Sequence, residues 1–332
     1  MAVYTKLTAE QLGELVAHYD VGELVSAKGI AEGVSNSNWL IETTGSDGNG
    51  ARYILTMYEF RIDLEDLPFF LELLDHLAAK GSPVPRTIHD RDGATHRWIG
   101  DKAVALIEYL PGVSIGAPTP AQARAVGEAL AGLHANAADF PKARANSMDL
   151  AEWHRLFDVC GKQGLAGIDP ALPELVADEL AFLDANWPAD LPRSVIHADL
   201  FPDNVLMLGN RVSGLIDFYF ACTDLTAYDL AVTHAAWCFA ADGTFDADIA
   251  AALLQGYAGT ARLSDAERAG LPILGRGAAM RFMASRAYDW LNTPADALVT
   301  RKDPMEFARR LAFYREHGEQ AFPGLADRGE RR

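Results

Sequence analysis

The stretch from His197 to Tyr219, HADLFPDNVLMLGNRVSGLIDFY, contains the side chains of this chain that are best suited to chemistry. Asp199 is followed by Asn204 and then, thirteen residues further on, by Asp217. Carboxylate and amide oxygens are the hard ligands that Mg²⁺ prefers, and a nucleotide phosphate can supply further oxygens. The residue types therefore suggest a magnesium-phosphate site, provided that the fold brings the three side chains together.

A predicted β-hairpin supplies that proximity. Two apolar runs, residues 205–208 and 212–216, flank the loop Gly209-Asn210-Arg211, whose residues tolerate positive φ. Antiparallel partners are counted outward from the turn, so Asn204 at the start of one strand should lie near Asp217 at the end of the other. Asp199 sits on the loop just before the hairpin. We expect three polar side chains at one edge of a rigid ribbon.

The order of these residues narrows the chemistry. H-x-D, four residues, N, and then D-F after a hairpin is the order of the catalytic residues of kinases. There the first Asp orients the substrate hydroxyl, while the Asn and the second Asp hold Mg²⁺ against the β and γ phosphates. Asp and Asn also cap turns and end strands. The joint spacing favours phosphotransfer, with Asp199 catalytic and Asn204 and Asp217 as metal ligands.

Length and charge restrict the other possibilities. A chain of 332 residues, 49% of them apolar, suits two lobes with a cleft between them. Its 29 basic and 46 acidic residues give a formal net charge of -17, which makes nucleic acid an improbable partner.

The cysteines and the N-terminus indicate the compartment. The three cysteines, Cys160, Cys222 and Cys238, show no paired spacing, which fits a reducing interior and argues against a disulfide framework or a zinc site. No basic-then-apolar leader opens the chain, and no window approaches eighteen apolar residues. We expect a soluble, cytoplasmic protein that does not bind membranes. Its oligomeric state cannot be predicted from these features.

The first third of the chain is predicted to be mostly strands. Apolar periodicity and turn signals predict these elements: a helix over 8–19, strands on either side of a loop over 33–38, a third strand over 52–58, a helix over 64–80 and a strand over 102–109. We place a domain boundary in the connector Glu108-Tyr109-Leu110-Pro111-Gly112 that follows the last strand, dividing the chain into 1–109 and 110–332.

Two segments of the first domain could contact a nucleotide. The loop that contains Gly33, Ser35 and Asn36 can lay backbone N–H groups over phosphates, although a plain polar hairpin tip is the alternative. The connector after the last strand can offer the backbone of Glu108 and Leu110 to an adenine edge, although a simple strand exit is the alternative. We predict these five residues as nucleotide-binding.

The second domain is predicted to be mainly helical. The predicted helices cover 120–136, 147–160, 173–186, 224–241, 277–291 and 304–317. His134 is expected to be a hydrogen-bonded core histidine rather than a ligand or a base. Asp229 is expected to cap its helix and to brace the loop over residues 197–204 that carries Asp199, called the catalytic loop below.

The chain resembles the aminoglycoside phosphotransferase and choline kinase-like superfamily over nearly its full length, and within it the kinase-like homoserine kinases. The likeness is carried by GVSNSNWLIET (33–43), RYILTMYE (52–59), DLPFFLELLDHLA (66–78), VIHADLFPDNV (195–205), GLIDFYFAC (214–222) and RFMASRAYDWL (281–291). The resemblance implies an α+β, bilobal protein-kinase-like fold with an antiparallel-sheet N-lobe for the nucleotide and a larger helical C-lobe. It also implies ATP- and Mg²⁺-dependent phosphorylation of homoserine in threonine biosynthesis.

One departure concerns the third strand, which carries a phosphate-pairing lysine in most kinases. Thr56 occupies that place here, and this agrees with the homoserine kinase pattern. Lys28, Lys102, or backbone and Mg²⁺ alone are the possible replacements.

An amino-acid acceptor carries a carboxylate and an ammonium group, which charge-assisted bonds could bind. Candidates for this role are Arg281, Arg286 and Asp289, with Tyr219 and Trp237 lining the pocket, although lobe bracing and core packing are the alternatives. A kinase for choline or an aminoglycoside is the nearest competing function. A nucleotide-binding pseudokinase, suggested by the missing lysine, is a further one.

Overall fold

A computed structural model describes residues 7–30, 36–59, 63–240, 242–293 and 301–323. The chain divides into two compact units, residues 1–111 and 112–332. The predicted boundary lies two residues before this division. Within the described ranges, no helix combines the length and the apolar character needed to cross a membrane.

The first unit is an antiparallel sheet with two helices. Its elements are α1 (Ala9–Val16), β1 (Leu24–Ile30), β2 (Asn36–Thr43), β3 (Ala51–Tyr58), α2 (Leu67–Ala79), β4 (Thr87–Ile88), β5 (Arg97–Ile99) and β6 (Lys102–Glu108). The strand order is β1-β2-β3-β6-β4, and β5 pairs with β6. Thr8 and Gln11 form a capping box at the start of α1. The predicted strands and helices of this unit are therefore present.

The two faces of this sheet differ in chemistry, because side chains alternate along each strand. Trp39, Leu55 and Met57 pack in one apolar cluster with Leu12 and Leu15 of α1. The opposite face includes Asn36, Asn38 and Thr56, since Asn38 pairs with Thr56 and Asn36 with Tyr58. This second face therefore carries polar side chains at the end of the sheet where β2 starts and β3 finishes.

The predicted loop over 33–38 needs a correction. From Asn36 onward the chain is already in β2, where it pairs with β3 through Tyr58 and Met57. The polar Asn-Ser-Asn sequence suggested a turn, but backbone pairing with the apolar third strand outweighs that local preference. Gly33 and Ser35 lie outside the described residues.

The second unit is mainly helical, as predicted. Its elements are α3 (Pro120–Ala137), α4 (Leu150–Ile168), α5 (Leu172–Asn186), β7 (Arg193–Ile196), β8 (Val205–Leu208), β9 (Arg211–Leu215), β10 (Cys222–Leu225), α6 (Thr226–Trp237), α7 (Ala247–Thr260), α8 (Asp265–Asn292) and α9 (Met305–His317). The predicted hairpin is confirmed as β8 and β9. The short strand β7 precedes this hairpin in the chain and β10 follows it, and these two strands pair with each other.

Three helices differ from their predicted extents. Helix α7 was not predicted, and α8 begins twelve residues before the predicted start because Ser264 and Glu267 form a capping box there. The proline at position 272 is accommodated within α8. Helix α4 is kinked at Gly161, whose φ of 64° and ψ of 157° are not helical. Its first segment ends where the prediction placed the end, and a second segment, not predicted, continues to Ile168. The glycines and the proline in these segments concealed helices that tertiary packing stabilises.

Helices α3 and α7 cross at two glycines. A Cβ atom added at Gly127 would lie 2.1 Å from the carbonyl oxygen of Leu253, and one added at Gly256 would lie 2.0 Å from that of Arg124. Side chains larger than hydrogen are therefore excluded where the two backbones meet.

This crossing predicts a large effect from one methyl group. Gly127→Ala should lower the free energy of unfolding by about 1–3 kcal/mol or more, since the helices must separate. Gly132→Ala on the same helix is the matched control, because a Cβ atom there meets nothing within 4 Å. Alanine favours a helix interior over glycine by up to about 1 kcal/mol, so the control should be neutral or stabilising. Urea unfolding of both variants checks this, and equal stabilities would contradict it.

Candidate functional site

The loop after β7 holds the Asp199 side chain in place through an unusual backbone conformation. Ala198 has a φ of 62°, which places a non-glycine residue in the left-handed region. Such a residue costs about 1–3 kcal/mol and persists where its surroundings hold it. The Asp229 carboxylate accepts hydrogen bonds from the backbone N–H groups of His197 at 2.8 Å and Ala198 at 2.7 Å. The strained turn is therefore fixed by one buried acid on α6.

Asp229 is itself held by a chain of buried side chains. His134 Nε2 donates to its carboxylate at 2.9 Å, and His134 Nδ1 lies 2.9 Å from the Tyr257 hydroxyl. Burial alone would raise the pKa of Asp229, but the bonds and charges of His134 and His197 bring this pKa below its usual value. Bracing by Asp229 and a core role for His134 are confirmed. The predicted helix cap is wrong, because Leu225 is the N-cap of α6 and caps no group with its side chain.

This arrangement predicts that Asp229→Asn loosens the catalytic loop. An amide offers one acceptor oxygen, so at least one buried N–H group loses its partner, at a cost of about 1–3 kcal/mol. Hydrogen exchange at the amides of His197 and Ala198 should accelerate. Asp246→Ala is the control, since Asp246 accepts two N–H bonds at the start of α7. It should cost about 1 kcal/mol and leave those two amides protected. Unchanged exchange in Asp229→Asn would contradict the brace.

His197 links the catalytic loop to the strand that leads to Asp217. Its Nε2 donates to the carbonyl of Ile216 at 3.0 Å, while its Nδ1 accepts the backbone N–H of Asp199 at 3.2 Å. Complete burial lowers the pKa of His197, so the ring is neutral at physiological pH. The ring also lies 4.5 Å from that of Phe218. His197 therefore orients its neighbours, a role that the H-x-D pattern alone did not reveal.

The structure brings the three predicted chemical residues together. Asn204 Nδ2 donates to the Asp199 carbonyl at 2.8 Å and lies 3.4 Å from Asp199 Oδ2. The backbone N–H of Ile216 donates to the Asn204 carbonyl at 3.0 Å, so Asp217 follows directly on the opposite strand. Asp217 is the second non-glycine residue in the left-handed region, with a φ of 66°. The hairpin register thus produces the expected convergence.

This group of residues is suited to a cation. Although Asp217 is exposed, desolvation by the surrounding protein and the charges of Asp199 and Asp203 raise its pKa to about 7. Desolvation also raises the pKa of Asp199. Asn204 directs its amide nitrogen to Asp199, which leaves its amide oxygen as a possible ligand. No cluster of three or more His, Cys, Asp or Glu residues suited to a metal occurs in the described ranges. Phosphate and water oxygens would therefore complete the coordination.

The pKa of Asp217 predicts that cation binding depends on pH. This carboxyl is largely protonated below about pH 7 in the cation-free protein, and a bound cation requires the carboxylate. Affinity should rise from pH 6 to pH 8, by up to about tenfold per pH unit below the pKa. Titration with Mn²⁺ followed by electron paramagnetic resonance measures this. Asp217→Asn should bind weakly with a flat pH profile, and a flat profile in the unmodified protein would contradict the assignment.

Arg281 of α8 also reaches Asp199. Its Nη1 donates to Asp199 Oδ1 at 3.3 Å, and the side chain is only 3% exposed. The guanidinium carbon lies 4.1 Å from the ring centre of Phe282 and 5.0 Å from that of Phe220. Of the residues predicted for the acceptor, Arg281 is thus in direct contact with the predicted catalytic acid.

The other predicted acceptor residues lie in different environments. Trp237 is buried and donates from Nε1 to the Leu200 carbonyl at 2.9 Å, which anchors the residue after Asp199. Arg286 pairs with Glu306 at 2.5 Å. These contacts favour the packing and bracing alternatives. Tyr219 lies in the single turn after Asp217, and Asp289 is partly exposed in the last turn of α8.

Lys302 is a residue that the sequence analysis missed. It stands just before α9, where no periodicity or motif indicated a role. Desolvation raises the pKa values of Asp199 and Asp217, and the positive charge of Lys302 offsets part of that rise. Its Nζ lies 5.8 Å from the ring centre of Phe201. A second cation therefore acts on the same acids.

In the first unit, three of the predicted nucleotide residues are described. Asn36 is buried, and its Oδ1 has no hydrogen-bond partner among the described residues. The Glu108 side chain forms a salt bridge with Arg86, and the backbone N–H of Glu108 donates to the Arg86 carbonyl at 2.9 Å. Leu110 is half-buried and follows the end of β6.

The place of the missing lysine is filled by neutral groups. Thr56 Oγ1 donates to Asn38 Oδ1 at 2.8 Å. Lys102 forms an ion pair with the buried Glu59. Because Thr56 pairs with Ala105, three residues from Lys102 on β6, Lys102 points to the other face of the sheet. Lys28 is exposed on β1. Lys28 pairs with Leu40, two residues from Asn38 on β2, so it lies on the same face as Thr56 but one strand further away.

Comparison with known proteins gives consistent results. Residues 26–264 match the family described as "Phosphotransferase enzyme family". A homoserine kinase of Brucella anthropi is 48% identical over 330 residues, covering 99% of both chains, and one of Methylobacterium radiotolerans is 50% identical, covering 95% of this chain and 97% of its own. An amicoumacin kinase solved with AMP-PNP and Ca²⁺ superposes with a TM-score of 0.65 at 14% identity, covering 96% of each chain. The predicted α+β, protein-kinase-like fold class is confirmed.

Proposed function

The chain belongs to the phosphotransferase enzyme family, and we propose that it transfers the γ-phosphoryl group of ATP to the side-chain hydroxyl of L-homoserine. The product would be O-phospho-L-homoserine, made in the cytoplasm for threonine biosynthesis. The observation that carries this proposal is the convergence of Asp199, Asn204 and Asp217 in a chain that is 48% identical to a homoserine kinase over 99% of its length.

Asp199 would align the acceptor. The hydroxyl oxygen forms a bond to the γ-phosphorus, the bond to the β–γ bridging oxygen breaks, and the hydroxyl proton passes to Asp199 as ADP leaves. Since the transition state is loose, alignment contributes more than early removal of this proton. Asp229 and Trp237 serve this step by fixing the backbone on both sides of Asp199. The catalytic carboxylate is therefore presented on a rigid support.

Asn204 and Asp217 would hold Mg²⁺. When bound, this ion neutralises charge on the β and γ phosphate oxygens. The carboxylates of Asp199, Asp203 and Asp217 would otherwise repel a triphosphate, and the raised pKa of Asp217 reflects their mutual repulsion in part. The family relationship supports ATP as the donor.

Residues 1–109 would bind the nucleotide, and residues 110–332 would supply catalysis and the acceptor site. Gly33, Ser35 and Asn36 are proposed for the phosphates, and the backbone of Glu108 and Leu110 for the adenine. With Thr56 in place of a lysine, neutral donors and Mg²⁺ would carry the phosphate contacts on this side. The buried Oδ1 of Asn36, unpartnered among the described residues, is an acceptor, so Asn36 would serve the phosphates through its side-chain N–H groups instead.

Choline or an aminoglycoside as acceptor is the alternative within the same class. The buried guanidinium of Arg281 beside Asp199 could pair with an anionic group of the acceptor, and choline has no such group. A pseudokinase is disfavoured because the three chemical residues are present and adjacent. The geometry thus favours a substrate with an anionic group.

An acceptor panel tests this function. With ATP and Mg²⁺, homoserine should be phosphorylated, and choline and kanamycin should give little ADP release in a coupled assay. Asp199→Asn should lower kcat by about 100-fold or more, while Asp178→Asn, an exposed position on α5, should leave it unchanged. Strong turnover of another alcohol with none of homoserine would refute the proposal.

A further inference from the structure

Arg281 has unused hydrogen-bonding capacity at a buried position. A guanidinium carries five N–H donors, and the described residues offer it one acceptor, the Asp199 carboxylate. The side chain is 3% exposed, and its other nitrogens have no hydrogen-bond partner within the described residues, yet none of them is fully enclosed by the protein. Buried polar groups normally find partners. The unused donors therefore indicate an anionic or carbonyl-bearing ligand beside Asp199.

Two other arginines of α8, the half-buried Arg276 and the buried Arg286, are already paired. Arg276 contacts the Glu179 carboxylate through Nε at 2.5 Å and Nη2 at 2.7 Å, and Arg286 is paired with Glu306. Such bidentate or short pairs satisfy a structural arginine. In contrast, Arg281 makes one long bond, 3.3 Å, to a residue of the catalytic loop. It differs from its neighbours in the way expected of a ligand-binding residue.

The two oxygens of the Asp199 carboxylate show on which side this ligand lies. Oδ2 is the oxygen nearer to the Asn204 amide, at 3.4 Å, whereas Oδ1 accepts from Arg281 at 3.3 Å. Asn204 belongs to the proposed metal side, where phosphates would lie. Arg281 therefore occupies the other side of Asp199, which is where an acceptor hydroxyl must approach in line with the phosphorus.

The local charges require a cation on this side. Asp199, Asp203 and Asp217 place three carboxyl groups in one region, which would repel an acceptor that carries its own carboxylate. The Arg281 guanidinium packs against Phe282 and Phe220, so it is held in a weakly hydrated environment where its charge acts strongly. Lys302 adds positive charge at the edge of the same region.

We propose that Arg281 selects the acceptor, binding its carboxylate with the unused N–H donors while holding Asp199 through Nη1. One side chain then couples recognition of an amino acid to orientation of the catalytic acid. A carboxylate and the transferred phosphoryl group are both anions that a guanidinium could bind, and the position on the Oδ1 side favours the carboxylate. This inference rests on the proposed function and specifies its acceptor site.

Two acceptors that differ in the carboxylate test the inference. L-Homoserine and 3-amino-1-propanol share the hydroxyl, the carbon spacing and the amine, but only homoserine has the carboxylate. The unmodified protein should strongly prefer homoserine. Arg281→Met should raise KM for homoserine and lower kcat/KM for homoserine by about 100-fold or more. The same substitution should lower kcat/KM for aminopropanol by no more than about tenfold. Arg281→Lys, which keeps the charge and loses the planar fork, should fall between them.

Arg276→Met is the control, because it removes a half-buried arginine, paired with Glu179, from the same helix. It should leave the ratio of the two kcat/KM values unchanged even where it lowers stability. Calorimetric titration of homoserine in the presence of ADP and Mg²⁺ gives a readout besides activity, and binding should be lost in Arg281→Met. Melting curves confirm that each variant is folded, and Arg281→Lys carries the test if Arg281→Met does not fold.

The outcomes separate this inference from the proposed function. Equal losses for both acceptors would overturn it, because Arg281 would then act only through Asp199 or the phosphoryl group. An unmodified protein that turns over both acceptors equally well would also overturn it. Absence of any homoserine turnover in the unmodified protein would instead refute the proposed function itself.

Discussion

The two hydrogen bonds that Asp229 accepts from His197 and Ala198 are the interaction on which the rest of the site depends. They offset the cost of a left-handed alanine, and that alanine turns the chain so that Asp199 leaves the loop toward Asn204 and Arg281. The Asp229 carboxylate that accepts these two hydrogen bonds is charged and buried, so the bonds are stronger than those between neutral groups. The position of the carboxylate proposed for catalysis is thus a property of α6 as much as of the loop itself.

Helix packing extends this dependence through the second unit. Tyr257, which contacts His134, directly follows Gly256, where α7 meets the backbone of α3. His134 lies on α3, two turns beyond Gly127, the other glycine of the crossing. The close approach that demands glycine is what brings the hydroxyl of α7 within reach of the histidine of α3. The helix crossing and the hydrogen bonds that fix the catalytic loop therefore belong to one continuous set of buried contacts.

The sequence predicted best what depends on local pattern. The hairpin and the pairing of Val205 with Leu215 followed from two apolar runs around Gly209-Asn210-Arg211, because antiparallel pairing is fixed by counting. Nearer the turn the prediction was off by one residue, since Arg211 already belongs to β9 and the register shifts between Leu206 and Met207. Helix α7 and the first half of α8 were missed, since their glycines and proline interrupt the periodicity. The contact of Arg281 with Asp199 joins residues 82 positions apart, and the side on which an arginine of a long helix meets a loop is set by tertiary packing. Lys302 had no local signal at all.

The threonine on the third strand has a consequence for chemical biology. Most kinases carry a lysine at that place in the sheet, and an amine-reactive nucleotide analogue would label it. In this chain the place holds a hydroxyl that is already engaged by Asn38, and the nearby ammonium of Lys102 points to the opposite face. A proteome-wide survey that relies on such labelling would pass over this protein at that position, so its nucleotide occupancy has to be followed by reagents that do not depend on an amine.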